Sequence, residues 1–68
     1  MLRLRVKEVA QQKGFNMSSL SRASGVSFRT IKRYWRDPYF NANTETLYKI
    51  ARALNVPTSD LMEDMPDE

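Results

Sequence analysis

The sequence predicts an all-α fold, a five-helix bundle built as one domain over residues 1–68. Three observations carry that prediction. Apolar residues recur at intervals of three and four, as in Leu47, Ile50, Ala51 and Leu54. Most periodic stretches open on Asn or Ser and close on Gly, Asn or an Asp-Pro pair, residues that start and stop helices. A chain of 68 residues holds a single small core. At that size folding buries only about 60% of the unfolded surface, and stability is marginal.

The first helix is predicted from about Leu2 to Lys13, with Leu2, Val6, Val9 and Ala10 on its buried stripe. Leu4 lies off that stripe and is expected either partly exposed or packed against the C-terminal segment. Gly14 ends the helix by taking a left-handed conformation. Asn16 caps a second helix, Met17 to Ser24, which buries Leu20. Gly25 makes a tight turn, and Val26 anchors it from inside. Ser27 caps a third helix that runs to about Arg36, with Ile31, Tyr34 and Trp35 as its apolar positions. Asp37-Pro38 stops it, because the residue before proline is pushed out of the helical region. Tyr39 to Ala42 form a loop.

Asn43 caps the fourth helix, with Glu45 in the first turn where the helix dipole favours a negative charge. Asn55 supplies the left-handed residue after Leu54. Val56-Pro57 leads into a last short helix around Thr58 to Glu63, which buries Leu61 with Met62 beside it. The tail Asp64 to Glu68 is expected to fray.

The net charge of +3 conceals a segregation. Residues 1–36 carry nine cations against the lone Glu8, or +8, and residues 37–68 carry Lys49 and Arg52 against seven anions, or −5. Such a chain presents one face to a polyanion and turns another away from it. The absence of cysteine and histidine removes disulfides, thiolate metal sites and the commonest general base. The carboxylates Asp60, Glu63 and Asp64 have no base partner, so they are read as a solvated acidic face rather than a catalytic or metal site. No cofactor is expected. Arg3, Arg5 and Lys7 interrupt any N-terminal apolar run, so no membrane segment is expected and the chain is placed in the cytoplasm.

Helix, glycine turn and basic helix together make a helix-turn-helix over residues 17–36, and the expected partner is double-stranded DNA. The first helix braces the second, with the small residues Ser21 and Ser24 at the crossing. The second offers a polar outer face to the major groove while Ile31 and Tyr34 hold it to the core. Its leading turn reaches deepest, so Phe28, Arg29, Lys32 and Arg33 are the base-reading candidates. An arginine can grip the guanine O6/N7 edge with two hydrogen bonds. Phe28 can pack on a thymine methyl, or serve as a core or partner-facing aromatic. Phosphate contacts, which position without reading sequence, are expected from Ser18, Ser19, Arg22, Ser27, Thr30, Arg36, Tyr39, Asn41 and Asn43. Free N–H groups opening the fourth helix are a further phosphate candidate. Arg3, Arg5 and Lys7 are ambiguous, because their helix can face away from DNA.

At these residues the chain resembles the Cro/repressor-type family, the lambda-repressor-like or XRE helix-turn-helix proteins. The similarity spans Lys13-Gly14-Phe15, then Leu20, Ser21, Gly25-Val26-Ser27 and Thr30-Ile31, and the closing run TLYKIARALNVPTSDLM from Thr46 to Met62. The resemblance implies a compact five-helix DNA-binding domain and transcription regulation in a bacterium or phage. Family members commonly act as homodimers, and a dimer of this chain would draw on Leu4, Met62, Met65 and the C-terminal helix unless those residues serve ordinary edge packing. The chain departs from the family at Met17, where glutamine is usual, and at Ser21, where alanine is usual. Ala10 and Trp35 replace a frequent Arg–Glu pair, and Phe28 replaces a commonly polar reader.

The alternative function is a protein-interaction module, such as the antitoxin of a toxin–antitoxin pair. Its apolar patch would comprise Met17, Phe28, Trp35, Tyr39 and Phe40. RNA stacking on Tyr34, Trp35, Tyr39 and Phe40 ranks below DNA, because core and turn packing explain those aromatics.

Overall fold

Leu2-Arg3-Leu4 does not begin a helix. In the computed structural model, which describes residues 2–39 and 43–64, it forms a strand, β1 (Leu2–Leu4), paired antiparallel with β2 (Met62–Asp64). The register sets Leu2 opposite Asp64, Arg3 opposite Glu63 and Leu4 opposite Met62. The expected first helix is thus shortened to α1 (Val6–Gln12). The expected last helix becomes a single 3-10 turn, Thr58–Leu61, which runs straight into β2. Asp64 belongs to the strand rather than to a frayed tail. Residues 65–68, and Met65 with them, lie outside the described residues.

Alternation explains the extended start. Leu2-Arg3-Leu4-Arg5-Val6 alternates apolar and cationic residues with the period of two that a half-buried strand requires. Leu4 turns into the core and is 5% exposed. Arg3 turns outward, where its guanidinium meets Glu8 at 2.7 Å and, across the ribbon, Glu63 at 3.4 Å. The Arg5 N–H donates to the Leu61 carbonyl at 2.8 Å and the Leu4 N–H to the Pro38 carbonyl at 2.6 Å. Leu4 is therefore packed against the C-terminal segment, and its burial removes it from any dimer surface.

The remaining helices are α2 (Met17–Ser24), α3 (Phe28–Arg36) and α4 (Thr44–Leu54). α2 packs on α3 and on α4, and α1 packs on both α3 and α4. Each of α2, α3 and α4 buries its predicted stripe: Leu20 from α2, Ile31 and Tyr34 from α3, and Leu47, Ile50, Ala51 and Leu54 from α4. Val6, Val9, Ala10 and Leu61 complete one core. Trp35 is partly buried against that core, which Ala10 enters with no exposure. Asn55 closes α4 in the left-handed conformation, φ 59°.

Gly25 decides the angle at which α3 leaves α2. Its φ is +74°, and a Cβ built there would meet nothing within 4 Å. The penalty for a side chain is therefore conformational rather than steric. Gly25→Ala is expected to destabilise the domain by roughly 1–2 kcal/mol, the cost of the left-handed region for an L-residue. In a domain of this size that lowers the melting temperature by at least about 4 °C. A melting curve that superimposes on the parent's would show that the turn relaxes without penalty.

Candidate nucleic-acid interface

Two serines and a valine set the junction of α2 and α3. The Ser21 hydroxyl donates to the Val26 carbonyl at 2.6 Å, and the Ser24 hydroxyl donates to the Leu20 carbonyl at 2.7 Å while accepting from the Val26 N–H at 3.2 Å. Val26 is buried, which holds the turn down on the core. The small residues expected only to permit close approach therefore also satisfy the turn's backbone groups. Serine at position 21 supplies a hydroxyl that the family's usual alanine lacks.

α3 is strongly two-faced. Ile31 and Tyr34 face the core, at 0% and 3% exposure. Arg29, Lys32, Arg33 and Arg36 are exposed and follow the spacing i, i+3, i+4, i+7, which is one ridge of a helix. Phe28 stands at the leading edge of that face, 46% exposed, so it is not a core aromatic. Among the described residues, no carboxylate lies within ion-pairing distance of Arg22, Arg29, Lys32 or Arg36. Arg29, Lys32 and Arg36 thus face outward without an ion pair among the described residues. Arg33 and Arg36 also lie in the last turn, where cations complement the negative end of the helix dipole.

Several phosphate candidates already hold structural positions. Asn16 and Ser19 form a reciprocal capping box: the Asn16 side chain accepts from the Ser19 N–H at 2.8 Å, and the Ser19 hydroxyl accepts from the Asn16 N–H at 2.9 Å. Ser27 accepts from the Thr30 N–H at 3.3 Å and donates to the Thr30 hydroxyl at 2.9 Å. Asn43 accepts from the N–H groups of Glu45 and Thr46 at 2.8 and 3.3 Å. Two of the N–H groups opening α4 are thereby occupied within the protein. Ser18 and Arg22 are exposed on α2, and Tyr39 is exposed after α3, with its N–H held by the Asp37 side chain at 3.1 Å. Asn41 and Phe40 lie outside the described residues.

Arg3 is engaged by Glu8 and Glu63, and its guanidinium is held above the usual arginine value, first by the Glu8 hydrogen bond and then by that carboxylate's charge. Arg3 and Glu8 line a cleft of about 220 Å³ together with Lys7, Trp35, Arg36 and Pro38. Arg36 of α3 and Lys7 of α1 thus border one cleft, whose lining also holds the Arg3–Glu8 ion pair.

Tyr34 has a part that its apolar reading misses. Its hydroxyl accepts the Asn43 N–H at 3.1 Å and so ties the C-terminal half of α3 to the cap of α4. The signal was the choice of tyrosine over phenylalanine at a core position, since a buried phenol finds a polar partner. Burial also withdraws Tyr34 from base stacking. Of the acidic residues weighed as a cluster, Glu63 pairs with Arg3, and the described residues contain no group of three His, Cys, Asp or Glu placed to hold a metal ion. No helix among the described residues is long and apolar enough to cross a membrane.

A family model described as a Cro/C1-type HTH DNA-binding domain matches residues 5–67. No curated protein matches the chain.

Proposed function

The chain belongs to the Cro/C1-type HTH DNA-binding domain family, and from that membership we propose a sequence-specific transcriptional regulator that lays α3 in the major groove of double-stranded DNA. The observation that carries this reading is the exposed cationic ridge of α3, pinned from behind by Ile31 and Tyr34. A major groove about 12 Å wide admits one helix of that diameter. Phe28, Arg29, Lys32 and Arg33 then approach base edges. Arg22, Arg36 and Tyr39 reach the phosphates on either side, with the hydroxyls of Ser18, Ser19, Ser27 and Thr30 and the Asn43 amide at the rim. The protein acts in the cytoplasm without a cofactor. A homodimer would set two copies of α3 on half-sites about 34 Å apart. With Leu4 buried, its contact would come from elsewhere on the ribbon and the C-terminal segment.

The exposure of Phe28 and Tyr39 also favours a second reading, an apolar docking surface for a protein partner such as a toxin. In-vitro selection on a random-sequence duplex library at near-physiological salt separates the two. An enriched inverted repeat is expected and defines a dimer with its operator. A single enriched half-site would indicate a monomer. No enrichment would overturn operator reading in favour of the interaction module.

A further inference from the structure

Phe28 is the residue of the α3 face whose chemistry is least like its neighbours'. It opens the helix next to Ser27, it is 46% exposed, and its phenyl ring has no hydrogen-bonding group to offer a base edge or a phosphate. Every other exposed side chain of α3 is cationic. Only one feature of the major-groove floor is apolar and base-specific, the C5-methyl group of thymine. Lys32, one turn along on the same ridge, brings positive charge beside the ring and favours close approach to the polyanion.

We propose that Phe28 makes this protein a reader of 5-methylpyrimidines, with its ring seated on a C5-methyl at one position of each half-site. The inference rests on the DNA-binding reading above. The same methyl group stands on 5-methylcytosine, so cytosine methylation at that position strengthens binding, and the operator responds to the methylation state of the DNA as well as to its sequence. The methyl is a small ligand for a large ring, and its removal leaves the duplex otherwise intact.

The test uses the duplex recovered by selection, with each thymine replaced singly by deoxyuridine, which lacks only the methyl. At one position per half-site the affinity is expected to fall about threefold to fivefold, the worth of one buried methyl, about 0.8 kcal/mol. Phe28→Ala is expected to bind the thymine and deoxyuridine duplexes equally, and Phe28→Leu to keep part of the preference. With a C·G pair at that position, 5-methylcytosine is expected to bind more tightly than cytosine by a similar factor. Because Phe28 lies outside the core, Phe28→Ala should melt with the parent protein. Indifference of the parent to every deoxyuridine, a preference that survives in Phe28→Ala, or no gain from cytosine methylation would each overturn the proposal. A library that yields no enriched duplex would instead count against operator reading as a whole.

Discussion

Ile31→Ala is expected to leave the domain largely unfolded at 25 °C. Ile31 has no exposed surface and sits where α3 meets the core formed by α1, α2 and α4. Truncating a buried isoleucine to alanine costs about 2–5 kcal/mol, from lost transfer energy and the cavity left behind. A single core in a chain below 70–80 residues supplies roughly 3–5 kcal/mol in total. The loss is thus comparable with the whole stability, in contrast to the smaller effect of Gly25→Ala. Far-UV circular dichroism with thermal and urea melts reads the outcome. Ile31→Val, which leaves a smaller void, should cost about 0.5–1.5 kcal/mol and retain the fold. A parent-like melt of Ile31→Ala would mean that α3 is not held by this contact.

The second large effect is on DNA affinity. If Arg22 and Arg36, the cations placed on phosphates, each displace a counterion, they alone give a logarithmic salt slope of about −1.8 per protomer, and raising salt from about 50 to 200 mM weakens binding at least about 12-fold. A docking surface built on Phe28 and Tyr39 would hardly respond to the same change. Single substitutions divide the cations by role. Arg36→Ala should weaken all duplexes alike and reduce the slope by about one, as for a phosphate contact. Arg33→Ala should lose about 1–3 kcal/mol of discrimination at one base pair. Fluorescence anisotropy across a salt series on operator and scrambled duplexes measures both, and uniform losses for Arg33→Ala would reassign it to the backbone.

Much of this architecture was legible because helix ends are written locally. Asn16, Gly25, Ser27, Asn43 and Asn55 each act through neighbours within a few residues, and each holds the expected cap or left-handed position. The basic face was legible for the same reason, since four cations at helical spacing need no tertiary knowledge. The ribbon was not. Its strands are three residues long, and the paired Arg3 and Glu63 are 60 positions apart. Leu2, Val6, Val9 and Ala10 fit a helical stripe, while Leu2-Arg3-Leu4-Arg5-Val6 fits a strand. The choice between them is made by Met62–Asp64, which no local pattern reveals. The bond from Asn43 to Tyr34 was hidden likewise, because it depends on the chain folding back after Pro38.

The pairing of β1 with β2 also has a kinetic meaning. The helix pair α2 and α3 joins residues close in the chain, whereas the ribbon closes a loop running nearly the length of the domain. Loop closure on that scale costs about (3/2)RT ln n before any rung forms, so the pairing is expected to come last, after the helices have brought the two strands together. Substitutions that weaken this clasp, such as Leu4→Ala, should therefore appear on the unfolding arm of a chevron plot and leave the refolding arm nearly unchanged. Leu20→Ala, inside the early helix pair, should slow refolding. The ribbon thus acts as a latch on the native state, setting how long a folded molecule persists rather than how quickly it is reached.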